Sequence, residues 1–424
     1  MSEPPADRIG STPVGNPENG AGARVPPAAK KISTRSTLLG AMFLMATSAI
    51  GPGFITQTTT FTVKLGAAAA FAIVISILVD IALQLNVWRV LGVSGHRAQQ
   101  LGNLVFPGLG WLMAVLLVVG GFVFNVGNVS GAGLGTEAMF GLSPRWGGAL
   151  SALIAIGVFL SKRAGIAMDR VVVVLGAVMI ALTTYIAISS GPPVGKALRN
   201  VVLPEHIGFL ATTTLIGGTI GGYIVYAGAH RLLDSDVTGP ANVHNITRGS
   251  TIGVLITGVM RVILFLAIFG VVAGGAALDP QSQAASAFQH AAGQIGLHVF
   301  GVVLWAASIT SVIGASYTSV SFVTRRGTRE RTRTILVVGF IVITTAIYVS
   351  IGTAPVTLLV FAGAFNGLLL PVGIAVVLWV GWRRGDLLNG YTYPRWLLAI
   401  GALAWLLTIY LAVKSVGPVV DLFK

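Results

Sequence analysis

The chain carries its apolar residues in long runs separated by short gaps that hold most of its charge. The runs are 37–63, 67–91, 106–138, 147–162, 166–189, 208–233, 250–276, 297–323, 334–352, 355–381 and 394–415. A helix that crosses a bilayer needs about 20 mostly apolar residues, and lipid offers no partner to backbone polar groups left unpaired. Eleven such runs therefore predict an all-α membrane protein with about 11 transmembrane helices. Composition agrees: 54% of the residues are hydrophobic and only 9% are charged. A soluble domain carries about 25% charged residues, so an ordinary water-facing surface is excluded.

The net charge of +14 follows membrane topology rather than nucleic-acid binding. With the N-terminus placed in the cytoplasm, inside segments hold Lys30, Lys31, Arg35, Arg89, Arg97, Lys162, Arg163, Arg170, Arg231, Arg248, Arg325, Arg326, Arg329, Arg331, Arg333, Arg383, Arg384 and Arg395. Outside segments hold only Lys64, Arg145, Lys196, Arg199, Lys414 and Lys424. That asymmetry is what the positive-inside rule requires. Eleven spans then put the C-terminus outside the cell membrane. The densest basic segment, 325–333 (RRGTRERTR), reads as an inside loop, and its chemistry also suits anionic lipid headgroups. Residues 1–34 are polar and rich in Pro, Gly and Ala, which predicts a disordered cytoplasmic tail ahead of a transmembrane domain over 35–424. The first apolar run, from about Thr37, reads as an uncleaved insertion signal. There is no cysteine, which excludes disulfides, thiolate metal sites and thiol redox chemistry. No nucleophile–base pair, nucleotide loop or metal-hydrolase spacing is present, so neither an enzyme nor a cofactor is expected.

Two runs are interrupted by helix breakers. The first reads LMATSAIGPGFITQTTTF, with Gly51-Pro52-Gly53 at its centre; the sixth reads TTLIGGTIGGYIVYAG, with Gly217, Gly218, Gly221 and Gly222. Proline removes a backbone donor and clashes with the preceding turn. Each glycine weakens a helix by about 1 kcal/mol relative to alanine. Unwound backbone at membrane depth survives only when buried in protein or lining a cavity. The breaks open the first and sixth runs, so the chain divides into two five-span halves, about 37–190 and 208–381, plus an extra helix at 394–415. An odd number of spans per half inverts one half relative to the other. Discontinuous helices in matching positions of inverted repeats, with the cargo between them, are a transporter pattern. The two breaks, near 51–54 and 217–222, are expected to approach each other.

Three passages resemble the Nramp family of proton-coupled divalent-metal transporters. Span six, GGTIGGYIVYAGAHRLLDSD, is similar to the family's G-[AT]-T-x-M-P-H-x-x-Y-L-H-S stretch, with Gly218, Thr219 and Tyr226 in register. Span ten, LLVFAGAFNGLLLPVGIAVVL, is similar to L-I-x-x-Q-x-x-N-G-x-x-L-P, with Asn366, Gly367 and Pro371 in place. Span eight, ASITSVIGASYTSVSFV, has the small, hydroxylated character of its counterpart. The resemblance covers most of 37–381 and implies the leucine-transporter fold, a 5+5 inverted repeat with broken helices 1 and 6. The family's Asp-Pro-Gly-Asn motif corresponds here to Gly51-Pro52-Gly53-Phe54. Its span-six Met corresponds to Gly221, the Pro-His pair to Gly222-Tyr223, and the span-ten Gln to Gly363. The resemblance therefore implies a retained scaffold whose metal-binding side chains are replaced.

Read from the residues alone, the candidate substrate site comprises Gly51, Pro52, Gly53, Phe54, Gln57, Thr58, Gly218, Thr219, Gly221, Gly222 and Asn125. Thr47, Ser48, Thr59, Thr60 and Thr214 add hydroxyls nearby. A divalent ion prefers carboxylates, imidazoles or sulfurs, and these positions offer none. No metal ligand set is assigned. Asn125 and Asn128 share a helix face and either line the pathway or tie helices together. The span-eight hydroxyls Ser308, Ser311 and Thr318 face the cavity or bond their own helix. His230, Asp234, Asp236 and His244 resemble a metal cluster in composition, but Arg231 and Arg248 interleave, which favours a solvated loop. His206 beside Glu205 reads as surface. Asp80 and Arg261 lie deep in spans two and seven, where an isolated charge costs about 2.5–3.5 kcal/mol on insertion scales; they are expected to pair. The partners expected are the lipid membrane and a transported cation or small solute, such as an amino acid, with no nucleic acid.

Overall fold

A computed structural model of the chain describes residues 50–234, 236–324, 328–352 and 354–423. The expected tail over 1–34, the first half of the first run with Thr47 and Ser48, and Arg325 and Arg326 lie outside the described residues. The described regular elements are all helical. In order they are α1 (Pro52–Leu65), α2 (Ala69–Ser94), α3 (Ala98–Val105), α4 (Leu109–Phe140), α5 (Pro144–Leu160), α6 (Lys162–Ser189), α7 (Val194–Val202), α8 (Phe209–Ile220), α9 (Ile224–Asp234), α10 (Val243–Ala273), α11 (Gln283–Val323), α12 (Glu330–Ile351), α13 (Pro355–Arg383) and α14 (Arg395–Val420).

Eight described stretches are long and apolar enough to cross a membrane, or nine if the pair Val173–Ser189 and Val194–Val202, bent by 102°, counts as one span. The expected count of eleven is not reproduced, for physical reasons that differ along the chain. Pro52–Ser94 is one apolar stretch of 43 residues. Its length, about 65 Å at 1.5 Å per residue, is about twice the hydrocarbon thickness of ~30 Å. It divides at the single turn Gly66–Ala68, near the boundary expected between the first two runs. The fourth expected span is α5, at 17 residues a shorter apolar helix. The run 106–138 begins later, at Leu109, because Phe106 is extended and ends a separate short helix, α3. The run 297–323 begins earlier, at Gln283, with a kink where Ala292 and Gly293 leave helical geometry.

Long helices α4, α11, α13 and α2 form the centre of the bundle, with buried small residues where they approach closely. Such contacts drive helix association in lipid, where apolar surface alone gives no preference for a neighbour. Polar ties supplement them. Trp88 of α2 donates to the Val225 carbonyl of α9 at 3.2 Å. Asn86 donates to the Leu397 carbonyl at 3.1 Å and accepts from the Tyr393 hydroxyl at 2.7 Å, fixing α14 against α2. Thr213 and Ser415 share a hydrogen bond of 2.8 Å between α8 and α14.

Candidate functional site

The interruption expected near 51–54 is reduced, among the described residues, to Ile50 and Gly51, since Pro52, Gly53 and Phe54 already lie in α1. Gly51 is extended (φ −92°, ψ −173°) and caps α1, with Pro52 as its first helical residue, where the missing proline donor is harmless. The second break is narrower than expected. Helix α8 continues through Gly217 and Gly218 to Ile220, Gly221 is extended, and α9 starts at Ile224. The break is therefore 221–223, not 217–222. Gly222 has φ +55°, a conformation that disfavours every residue bearing a Cβ. A side chain there would also overlap Asn366 Oδ1.

One turn of α4 receives both breaks. A Cβ on Gly51 would stand 3.8 Å from Asn128 Oδ1, and one on Gly53 would stand 3.9 Å from the Phe124 ring. From the other break, the Tyr223 ring meets Phe124 edge-on at 5.7 Å between centroids. The starts of α1 and α9 bring two positive dipole ends to this region.

Gly217 and Gly218 serve packing instead of unwinding. A Cβ on Gly217 would strike the Gly363 carbonyl and the backbone of Gly367; one on Gly218 would strike the Gln57 amide. Gln57 is fully buried and donates from Nε2 to the Leu359 carbonyl at 2.8 Å, while its Oε1 has no partner. A Cβ on Gly363 would also strike that amide. The space left by the span-ten glycine is thus filled by an amide arriving from α1. Gly217→Ala is expected to lose about 1–3 kcal/mol of stability by overpacking, because backbone cannot yield. Gly218→Ala is expected to lose less stability and more transport, since it displaces only the movable Gln57 side chain. Thermal unfolding and uptake measured on both variants separate these outcomes.

Asn125 holds helices together: Nδ2 donates to Ser316 Oγ at 3.1 Å and Thr344 Oγ1 at 2.9 Å. Its Oδ1 has no partner. Asn366 donates to the Gly120 carbonyl at 3.0 Å and the Ala362 carbonyl at 2.9 Å, leaving Oδ1 unpartnered beside Gly222. Asn366 was not among the expected site residues, although it stands in the span-ten passage that carries the resemblance; Asn128 was expected either to line the pathway or to tie helices together. The hydroxyls of Thr58, Thr59, Thr60 and Thr214 are buried without partners. Ser308 bonds its own helix, to the Leu304 carbonyl at 2.6 Å, and Ser311 lies against Gly51.

Asp80 and Arg261 are 3% and 1% exposed. Arg261 Nη1 donates to Ser76 Oγ at 3.1 Å, the Leu215 carbonyl at 3.2 Å and Thr219 Oγ1 at 3.2 Å. The Thr219 hydroxyl donates its own hydrogen to the Leu215 carbonyl at 2.6 Å. Among the described residues no ion pair within 4 Å joins Asp80 to Arg261, and Asp80 Oδ1 has no partner. The Phe54 ring lies 4.6 Å from the guanidinium carbon.

The residues after span six do not assemble a metal centre. Asp234 pairs with Arg97 at 2.7 Å. His230 Nδ1 lies 3.3 Å from Ser321 Oγ, with its ring 4.9 Å from that of Phe322. Among the described residues no group of three His, Cys, Asp or Glu side chains is placed to hold a metal ion. His206 is exposed.

An all-helical apolar bundle in which the start of α1 and the break between α8 and α9 meet one turn of α4 is a discontinuous-helix membrane architecture. The comparisons with known proteins give the particular family. The profile described as "Natural resistance-associated macrophage protein-like" matches residues 42–417, and the chain belongs to this Nramp family. It is 49% identical over 377 residues to YcsG, an uncharacterized membrane protein of Bacillus subtilis, covering 89% of this chain and 93% of that one. It is 48% identical over 382 residues to an uncharacterized membrane protein of Haemophilus influenzae, covering 90% and 95%. In structure it is similar to a variant of the Eremococcus coleocola manganese transporter (TM-score 0.70, 18% identity, 94% and 90% covered). It is also similar to MhsT in complex with L-phenylalanine (TM-score 0.65, 17% identity, 88% and 98% covered). The chain is thus a multi-pass membrane protein with the transporter fold of a metal-ion transport family.

Proposed function

We propose that the chain is a secondary-active transporter, with its N-terminus cytoplasmic, whose cargo site between the two breaks is rebuilt from neutral oxygens and one buried guanidinium. The halves 37–190 and 208–381 act as the inverted repeats. The cargo contacts Gly51–Phe54, Gln57, Thr58, Gly218, Thr219, Gly221, Gly222 and Asn125, with Asn128 and Asn366 added on the geometry above. Two cargo classes fit such a site. A hydrated metal cation is supported by family membership and by the unpartnered amide oxygens of Gln57 and Asn366. A small organic solute is supported by one observation: Arg261, wholly buried, stacks on Phe54 directly after the first break. A guanidinium offers only donors, which suit a polar or anionic group and cannot ligate a metal cation; the buried Asp80 supplies its counter-charge. That observation makes the organic solute the stronger reading.

Either way, the replaced side chains are expected to remove high-affinity binding of Mn²⁺ and Fe²⁺. Neutral oxygens alone compensate poorly for stripping water from a divalent ion. Titration calorimetry on the purified chain is expected to show no micromolar Mn²⁺ site; a micromolar site abolished by altering the breaks overturns the reading. Uptake into proteoliposomes, with Mn²⁺, Mg²⁺, Na⁺ and amino acids offered with and without a pH gradient, decides between the cargo classes.

A further inference from the structure

We propose that one edge of the Arg261 guanidinium is a binding site for the carboxylate group of the transported solute. The inference rests on the organic-solute reading above and names the chemical group that the site takes.

Arg261 has its hydrogen bonds distributed unevenly. Nη1 is fully engaged by Ser76, the Leu215 carbonyl and Thr219. Nε and Nη2 are buried and have no partner. The Phe54 ring, 4.6 Å from the guanidinium carbon, does not consume these donors, because a ring over the flat face leaves the in-plane N–H groups free. Asp80 supplies counter-charge but makes no ion pair within 4 Å of the guanidinium, and its Oδ1 has no partner. The two free donors are neighbours on one side of the guanidinium and point the same way. That is the pair which meets both oxygens of one carboxylate in a bidentate contact. The edge is also held by the elements that the breaks interrupt. Phe54 is in the first turn of α1, and Leu215 and Thr219 lie in the last turns of α8 before Gly221. The positive ends of α1 and α9 favour the same charge on a ligand. A lysine cannot replace this contact, since its ammonium is a point charge without a fork.

The test uses the full chain, purified and reconstituted, with matched acid and amide probes: lactate against lactamide, L-alanine against L-alaninamide, L-proline against L-prolinamide. Thermal stabilisation reads binding, and proteoliposome uptake of the stabilising acid reads transport. At least one acid is expected to bind and accumulate while its amide does neither. Arg261→Gln and Arg261→Lys are both expected to weaken that acid by roughly tenfold or more. Arg261→Lys keeps the charge opposite Asp80, so it separates loss of the fork from failure to fold. If an acid is bound and carried equally well by Arg261→Lys and Arg261→Gln, the anchor is elsewhere and only the organic-solute reading survives. If acid and amide bind alike, the carboxylate assignment is overturned. If no acid binds and a metal cation accumulates instead, this proposal and the organic-solute reading fail together.

Discussion

Asp80→Asn is expected to silence transport as completely as Arg261→Gln, and the double variant is expected to lose less than the sum of the two. Both side chains are almost wholly buried; Arg261 is tied to α2 and α8 through Ser76, the Leu215 carbonyl and Thr219, and opposite charges act on each other strongly in a poorly polarisable interior. Removing either one leaves a bare charge in a medium that solvates it poorly, a loss of about 3–5 kcal/mol for buried pairs. Removing both takes away the unmatched charge as well. A coupling of about 0.5–3 kcal/mol is the range for residues sharing a network. Thr219 is the last turn before the Gly221 break, so this network joins α2 and α10 to a segment that must rearrange if the break moves. Uptake rates and detergent unfolding of the two single variants and the double variant close the cycle. Additive losses in both measurements mean that the residues act separately.

Arg97→Gln is expected to produce the second large effect, at the far end of α9. Arg97 pairs with Asp234 at 2.7 Å and donates to the Ser321 carbonyl at 2.9 Å and the Thr324 carbonyl at 3.3 Å. One guanidinium thus clasps the start of α3, the end of α9 and the end of α11. Its side chain is 5% exposed against 23% for Asp234, so the pair is largely dry and loss of one partner falls in the range of about 3–5 kcal/mol. On the proposed topology this is the cytoplasmic side, and release of the clasp opens it. The chain has no cysteine, so a single Thr324→Cys probe can be labelled without background. Maleimide labelling of that probe is expected to quicken several-fold when Arg97→Gln is added, with transport falling in parallel. Unchanged labelling together with normal uptake removes the clasp from the transport cycle.

Much of the candidate site was legible because breakers and deep charges are local statements. Gly51-Pro52-Gly53 cannot continue a helix, and α1 does start at Pro52. Gly221-Gly222 breaks span six, but Gly217 and Gly218, identical in type, stay helical because they face the Gly363 carbonyl and the Gln57 amide. A glycine that unwinds and a glycine that admits a neighbour look the same in a sequence. The cluster around His230 and Asp234 could be doubted from its interleaved arginines, yet its actual partners, Arg97 and Ser321, lie 137 and 91 residues away.

The amino-acid sequence by itself determined that this chain is an all-α membrane protein, that span six is interrupted at its glycines, and that two charges lie deep within it. These follow from hydropathy, backbone freedom and the expense of burying charge, each of which acts over a few residues. Tertiary structure alone decided the span geometry, the convergence of the α1 start and the 221–223 break on the Phe124–Asn128 turn of α4, the filling of the Gly363 space by Gln57, and the free Nε–Nη2 edge of Arg261. Those depend on which atoms arrive from distant helices, because a buried polar group is paired or left unpaired only by its neighbours in space.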